Sequence, residues 1–241
     1  MFETKKLKRI FKNIENYEGL VKSFVKGTFD EKRILEDSAK NHAKTSNNFP
    51  LKGLLFGVKD IINVDGYPTR CGSLLPHELF KGLQASCVSK LLNAGAIFAG
   101  KTVTAEFAVS DPGETRNPRN LSYTPGGSSS GSAASVAAGF CDIAIGTQTS
   151  GSVIRPAGYC GTIGYKPSFG RISRDGVLLF SNSMDHVGIC AKDLNLLEKT
   201  LPLLVNSWSL KDGIISQGTT IPVITPLDNE GATFGIGIPT G

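Results

Sequence analysis

Two short loops of small residues hold the groups of this chain best suited to chemistry. The first is Gly126-Gly127-Ser128-Ser129-Ser130-Gly131; the second is Thr147-Gln148-Thr149-Ser150-Gly151-Ser152. Glycine lets backbone approach a ligand closely, and each loop offers hydroxyls beside backbone N–H groups. The first loop also fits the G-x-S-x-G pattern of a nucleophile elbow, which would activate Ser129, with Asp142 or Asp175 and then His186 downstream. An elbow turns sharply from strand into helix. The run before this one, Arg116–Pro125, is rich in Pro and Asn and reads as loop, so the pattern counts as coincidence.

The elements between the loops can bring them together. Ser132–Gly139 has short apolar side chains and suits a helix packed closely on a sheet, and Cys141–Ile145 is an apolar run of strand length. Upstream, Gly53–Val58 reads as a strand, which puts Lys59 at a strand's end. Ala85–Asn93 reads as a helix closed by Gly95, Ala96–Ala99 as a buried strand, and Asp193–Leu204 as a helix. Residues 3–26 and 30–44 carry mixed charge with Leu, Ile and Phe at helical spacing, so two N-terminal helices are expected. Gly27 breaks them and Asp30 caps the second. Residues 206–230 show little periodicity, and Thr233–Ile238 reads as a last short strand. Strands alternating with helices predict an α/β fold with helices on both faces of the sheet.

A chain of 241 residues can bury a sizeable core in one domain. We divide it into an N-terminal helical segment, 1–49, a core, 50–195, and a final segment, 196–241. The net charge of +5 is mild, and much of the excess lies before Pro50. Acidic residues are mixed through that stretch, so it reads as a solvated helix face, with neither nucleic acid nor membrane expected as a partner. No run reaches the roughly 18 apolar residues of a membrane helix. The start lacks the apolar core of a secretory signal, so cytoplasm is the default location. The five cysteines are odd in number and lack CxxC pairing, which argues against a disulfide framework or a zinc site.

Several motifs, in order, carry a resemblance: Gly57-Val58-Lys59-Asp60, Thr69-Arg70-Cys71-Gly72-Ser73, Gly100-Lys101-Thr102, Glu106-Phe107, the two loops, Cys160 through Ser168, Gly170-Arg171, and Met184 through Gly188. Over roughly residues 50 to 195 the chain resembles the amidase signature family, the Ser–cis-Ser–Lys amide hydrolases. The resemblance implies that family's mixed β-sheet fold and hydrolysis of a carboxylic amide without metal or cofactor. It assigns Ser152 as nucleophile, Ser128 as bridging serine after a cis peptide at Gly127–Ser128, and Lys59 as base. Thr149, Ser150, Gly151 and Ser152 would supply the oxyanion N–H groups, and Ser129 falls with them among the oxyanion and substrate-binding residues. An acyl-ester on Ser152 would form and then be hydrolysed. The residues are chemically coherent with this: an ammonium has no lone pair, but burial can lower a lysine's pKa by several units. Gln148 and Ser150 depart from the common pattern, which has Asp and Gly there.

Family members run longer, so the chain looks like an N-terminal portion, and a homo-oligomer or a complementing C-terminal chain is expected beside the small-molecule substrate. An amidotransferase component, releasing ammonia for a partner enzyme, stands second. Gln148 and the short length weigh against it. A catalytically incompetent half-domain is the third reading. Gly95-Ala-Ile-Phe-Ala-Gly100-Lys101-Thr102 fits the Walker A pattern, but its variable positions are themselves a strand and Val103-Thr104-Ala105 starts a helix poorly. Ser23–Lys26 fits S-x-x-K by coincidence. His42, His77 and His186 are not expected to act in catalysis; Arg155 and Lys166 are expected to hold loops, and Cys160 to pack.

Overall fold

The computed structural model describes residues 2–43, 49–109 and 111–208. Three parallel strands form one side of its sheet: β1 (Leu55–Lys59), β2 (Ile97–Thr102) and β3 (Ile143–Gln148). Beyond β3 lie β5 (His186–Ala191) and then β4 (Ile163–Tyr165), each antiparallel to its neighbour, giving the order β2-β1-β3-β5-β4. Every residue of β1, β2 and β3 is buried. These strands therefore show in the sequence as continuous apolar runs rather than alternations.

Helices cover the sheet. The first, α1 (Phe2–Val21), buries Leu7, Ile10, Phe11 and Ile14, one stripe at helical spacing, and exposes Lys5, Lys8, Arg9 and Lys12. Lys6 meets Asp142 at 2.6 Å, and the same carboxylate oxygen accepts the Leu55 N–H, so one acid ties α1 to the start of β1 and the approach to β3. The second, α2 (Glu31–Ala43), starts where Asp30 accepts the Arg33 N–H, the cap expected of it, and packs on β2. Then α3 (Ser86–Asn93) packs with α6 (Leu194–Leu204), while α4 (Ser130–Ala137) lies over β1, β2, β3 and β5 with α5 (Ile154–Cys160) beside it.

Several boundaries differ from the sequence reading. Strand β2 continues through Gly100, Lys101 and Thr102, because hydrogen bonding to β1 persists to the Lys59–Thr102 pair. The Walker-like lysine is thus inside a strand. Helix α4 begins two residues early, within the serine run. Strand β5 begins at His186, next to a turn that ends at Met184, and pairs with β3 along its whole length. The sequence reading had no strands over β4 and β5 and no helix over α5. The expected segments beyond Trp208, including Thr233–Ile238, lie outside the described residues.

All five cysteines are buried as free thiols. Among the described residues no helix is long and apolar enough to cross a membrane.

Candidate active site

The chain goes from β1 through α3 to β2 on one side of β1, then through α4 to β3 on the other. The strand order therefore reverses between β1 and β3, and ligands of α/β sheets bind outside the carboxyl ends of strands at such a switch point. Lys59 ends β1 there, and Thr147 and Gln148 end β3.

Lys59 is fully buried, and its amine reaches the Ser128 hydroxyl at 2.7 Å. The same nitrogen lies 2.9 Å from Thr147 Oγ1 and 3.4 Å from Thr147 O. Burial pulls the lysine from its ordinary 10.5 down to about 7, against the opposing pull of Asp185. A neutral amine has two N–H donors and one lone pair. Thr147 offers two acceptors, so the lone pair can face Ser128. A buried amine half-neutral near pH 7 and in contact with a hydroxyl can exchange a proton with it.

Ser128 is buried, its peptide bond to Gly127 is cis, and its carbonyl accepts the Ala105 N–H at 3.0 Å. Arg155 donates two hydrogen bonds to Gly127 O, at 2.8 and 3.0 Å, so the first turn of α5 grips the residue before Ser128. Ser152 precedes α5 and is 5% exposed; its carbonyl accepts the Ser129 N–H at 3.1 Å, which joins the two loops backbone to backbone. The hydrogen bonds thus join Lys59 to Ser128 directly and bring Ser152 to the serine run through its carbonyl.

Ser129 faces elsewhere. Its hydroxyl donates to Thr147 O at 3.1 Å and accepts the Thr147 N–H at 3.3 Å, and the residue is fully buried. The segment before it is loop, without the strand an elbow needs.

The second loop is ordered from its flanks. Gln148 Oε1 accepts the N–H groups of Val153 and Ile154, both at 2.9 Å, and its amide donates to Ser150 O. It therefore caps α5 across the whole loop. Thr149 donates its hydroxyl to Asp185, a buried acid whose other oxygen accepts the N–H groups of Phe180 and Ser181. Gly151 O accepts the Arg155 N–H, and Ser150 itself is exposed. His186 faces Gln148 O and the edge of Phe169, and Lys166 binds the Pro167 carbonyl. A cleft of about 410 Å³ opens beside these loops, lined among others by Gly126, Gly127, Ser130, Arg155 and Tyr159.

Sequence reasoning missed Thr147 and Asp185. Thr147 is the first polar residue after the β3 apolar run, and that position was the available signal. Asp185 had none beyond lying in a quoted motif, since its partner is 36 residues away.

The chain belongs to the amidase family, which it matches over residues 6–223. Among curated relatives, a glutamyl-tRNA(Gln) amidotransferase subunit from Salinibacter ruber is 46% identical over 166 residues, 64% of this chain and 32% of the relative. The protein of the same name from Syntrophus aciditrophicus is 37% identical over 225 residues, 90% of this chain and 45% of the relative. Among solved structures, the peptide amidase of Stenotrophomonas maltophilia superposes with a TM-score of 0.76 at 30% identity, over 85% of this chain and 45% of that one. The chain thus spans less than half the length of these relatives, and its sheet is that of the amidase signature fold.

Proposed function

We propose that this chain carries the acyl-transfer machinery of an amide hydrolase. In this reading neutral Lys59 takes a proton from Ser128 as Ser128 takes one from Ser152, and Ser152 Oγ attacks the amide carbonyl. The N–H groups of Thr149, Ser150, Gly151 and Ser152 receive the oxyanion. The relay then runs backwards: Ser128 gives the departing nitrogen its proton and recovers one from Lys59. An acyl-ester remains on Ser152, and water attacks it with the same base. One observation carries the reading: the 2.7 Å contact between the Ser128 hydroxyl and a lysine that burial brings near neutrality. The test is a fluorophosphonate serine probe. It should label the chain at Ser152, and Ser152→Ala should abolish labelling; labelling at Ser129 would sink the assignment.

A second reading has its own support, because the curated relatives named above are amidotransferase subunits. In it the same acyl-enzyme chemistry releases ammonia for a partner. The two part on the leaving group. Turnover restricted to primary carboxamides and raised by partner chains favours the amidotransferase role; turnover of substituted amides favours the free hydrolase. In either case we expect a complementing C-terminal chain or a second copy to contribute to the pocket.

A further inference from the structure

Lys101 and Asp60 form a buried ion pair beside the site, 0% and 1% exposed, with Lys101 Nζ 3.0 Å from Asp60 Oδ1. Lys101 is the lysine of the Walker-like run, and its ammonium is not directed at a phosphate loop. It donates to Ile62 O at 2.7 Å and to Thr69 Oγ1 at 3.0 Å. All three of its partners belong to the segment that leaves Lys59. That segment turns at once, since the N–H groups of Ile61 and Ile62 both donate to Lys59 O at 2.9 Å.

From Asp60 a backbone circuit leads to the other side of the Lys59–Ser128 contact. Asp60 O accepts the Cys71 N–H at 2.9 Å, and Asp60 Oδ2 accepts the Arg70 N–H at 3.2 Å. Cys71 O accepts the Phe107 N–H at 2.8 Å, and two residues earlier Ala105 donates to Ser128 O at 3.0 Å. Cys71, Phe107 and Ala108 hold φ values of 58°, 48° and 62°, a left-handed region that non-glycine residues occupy only when their surroundings impose it. The ion pair thus anchors one end of the circuit and Ser128 sits at the other, with Lys59 immediately before the anchor.

We propose that the Asp60–Lys101 pair is the positioning device of the Lys59–Ser128 contact. It fixes both sides of that contact through one framework. Calling the contact catalytic rests on the amidase reading; the placement itself does not. Loosening the pair would let water reach the amine and draw Lys59 back toward its ordinary value. The other titratable groups around Lys59 come from the β5 side, Asp185 and Cys190, with Cys71 beside Lys101. Strand β3 and helix α4 bring none.

The test uses the full chain, wild type and as Asp60→Asn, Lys101→Met and the double variant, with ¹³Cε-labelled lysine. The Lys59 resonance reports its titration whether or not the chain turns over. The midpoint should rise by about one pH unit, toward its ordinary value, in all three variants, because a loosened framework lets water reach the amine. On its own pH plateau the double variant should still label Ser152 at least about tenfold more slowly, because the clamp is gone. Should a single variant fail to fold, the double variant, which removes both charges, carries the test. Folded variants with an unmoved Lys59 midpoint, or a double variant that labels at the wild-type rate, would overturn the proposal. A wild-type chain that does not label Ser152 counts against the amidase reading alone, and the Lys59 titrations then decide the inference.

Discussion

A lysine can take up a proton only in its neutral form, and burial places the midpoint of Lys59 near 7. Labelling of Ser152 should therefore rise with pH and be half-maximal near pH 7. Lys59→Arg should lose activity as fully as Lys59→Ala, because a guanidinium keeps its proton. The same residue sets a stability slope. Its folded pKa is about 7 and its ordinary value 10.5, so between those values the unfolded chain holds the extra proton. Stability then rises with pH across that window; the full cost of burying the charge applies below about pH 7 and vanishes above about 10.5. Lys59→Met should flatten the slope and stabilise the chain at pH 6 by roughly 3 kcal/mol or more, as read by urea unfolding at pH 6 and pH 10. Ser129 gives the contrast. Ser129→Ala removes two buried hydrogen bonds and should cost about 1–3 kcal/mol while Ser152 stays reactive. At this scale the family resemblance named Lys59 and Ser128, which are 69 positions apart in sequence and 2.7 Å apart in space. Asp185 was not legible, because a buried acid looks like any other Asp, and Thr147 showed only as the first polar residue after an apolar run.

Among the elements, α4 depends on close approach. A Cβ on Gly131 would meet Ser23 O at 2.3 Å and Val103 N at 2.4 Å, both backbone atoms that cannot swing aside. Gly131→Ala should therefore cost about 3 kcal/mol or prevent folding, measurable as a fall in Tm. Helix α5 depends on Gln148. Gln148→Ala leaves the Val153 and Ile154 N–H groups without their acceptor and frees the Ser150 end of the loop. We expect a loss of about 1–2 kcal/mol and slower labelling of Ser152 at an unchanged pH midpoint. The elements legible in the sequence were those with a strong local pattern: the apolar runs of β1 and β3, the periodic stripe of α1, and the Asp30 cap. Those that were not had weak patterns or distant partners. Helix α5 is seven residues long and contains a proline and a glycine. Strand β4 is three residues long and half-buried, and β5 is a strand chiefly because β3 lies beside it. Gln148 looked like a substitution in a motif and proved to be a helix cap acting across a loop.

For the molecule as a whole, several apolar side chains near the site are exposed. Ile154 and Tyr159 on α5, and Phe169, Phe180 and Met184 between β4 and β5, are 46–57% exposed. Strand β4 also ends the strand order of the described sheet. An edge strand and exposed apolar side chains favour association. We expect the isolated chain to self-associate in solution. Light scattering tests this; a stable monomer at high concentration would overturn it.

The buried cysteines turn the native fold into its own reporter. Burial raises the thiols of Cys71, Cys87, Cys160 and Cys190 to about 12, and that of Cys141 further still. Thiolate is the reactive form, so an intact molecule should hardly react with a chromogenic disulfide reagent at neutral pH. Each thiol becomes countable only when its own region opens. Cys71 lies on the circuit behind Ser128 and Cys87 in α3, so the order in which colour develops would rank which parts of the molecule come apart first.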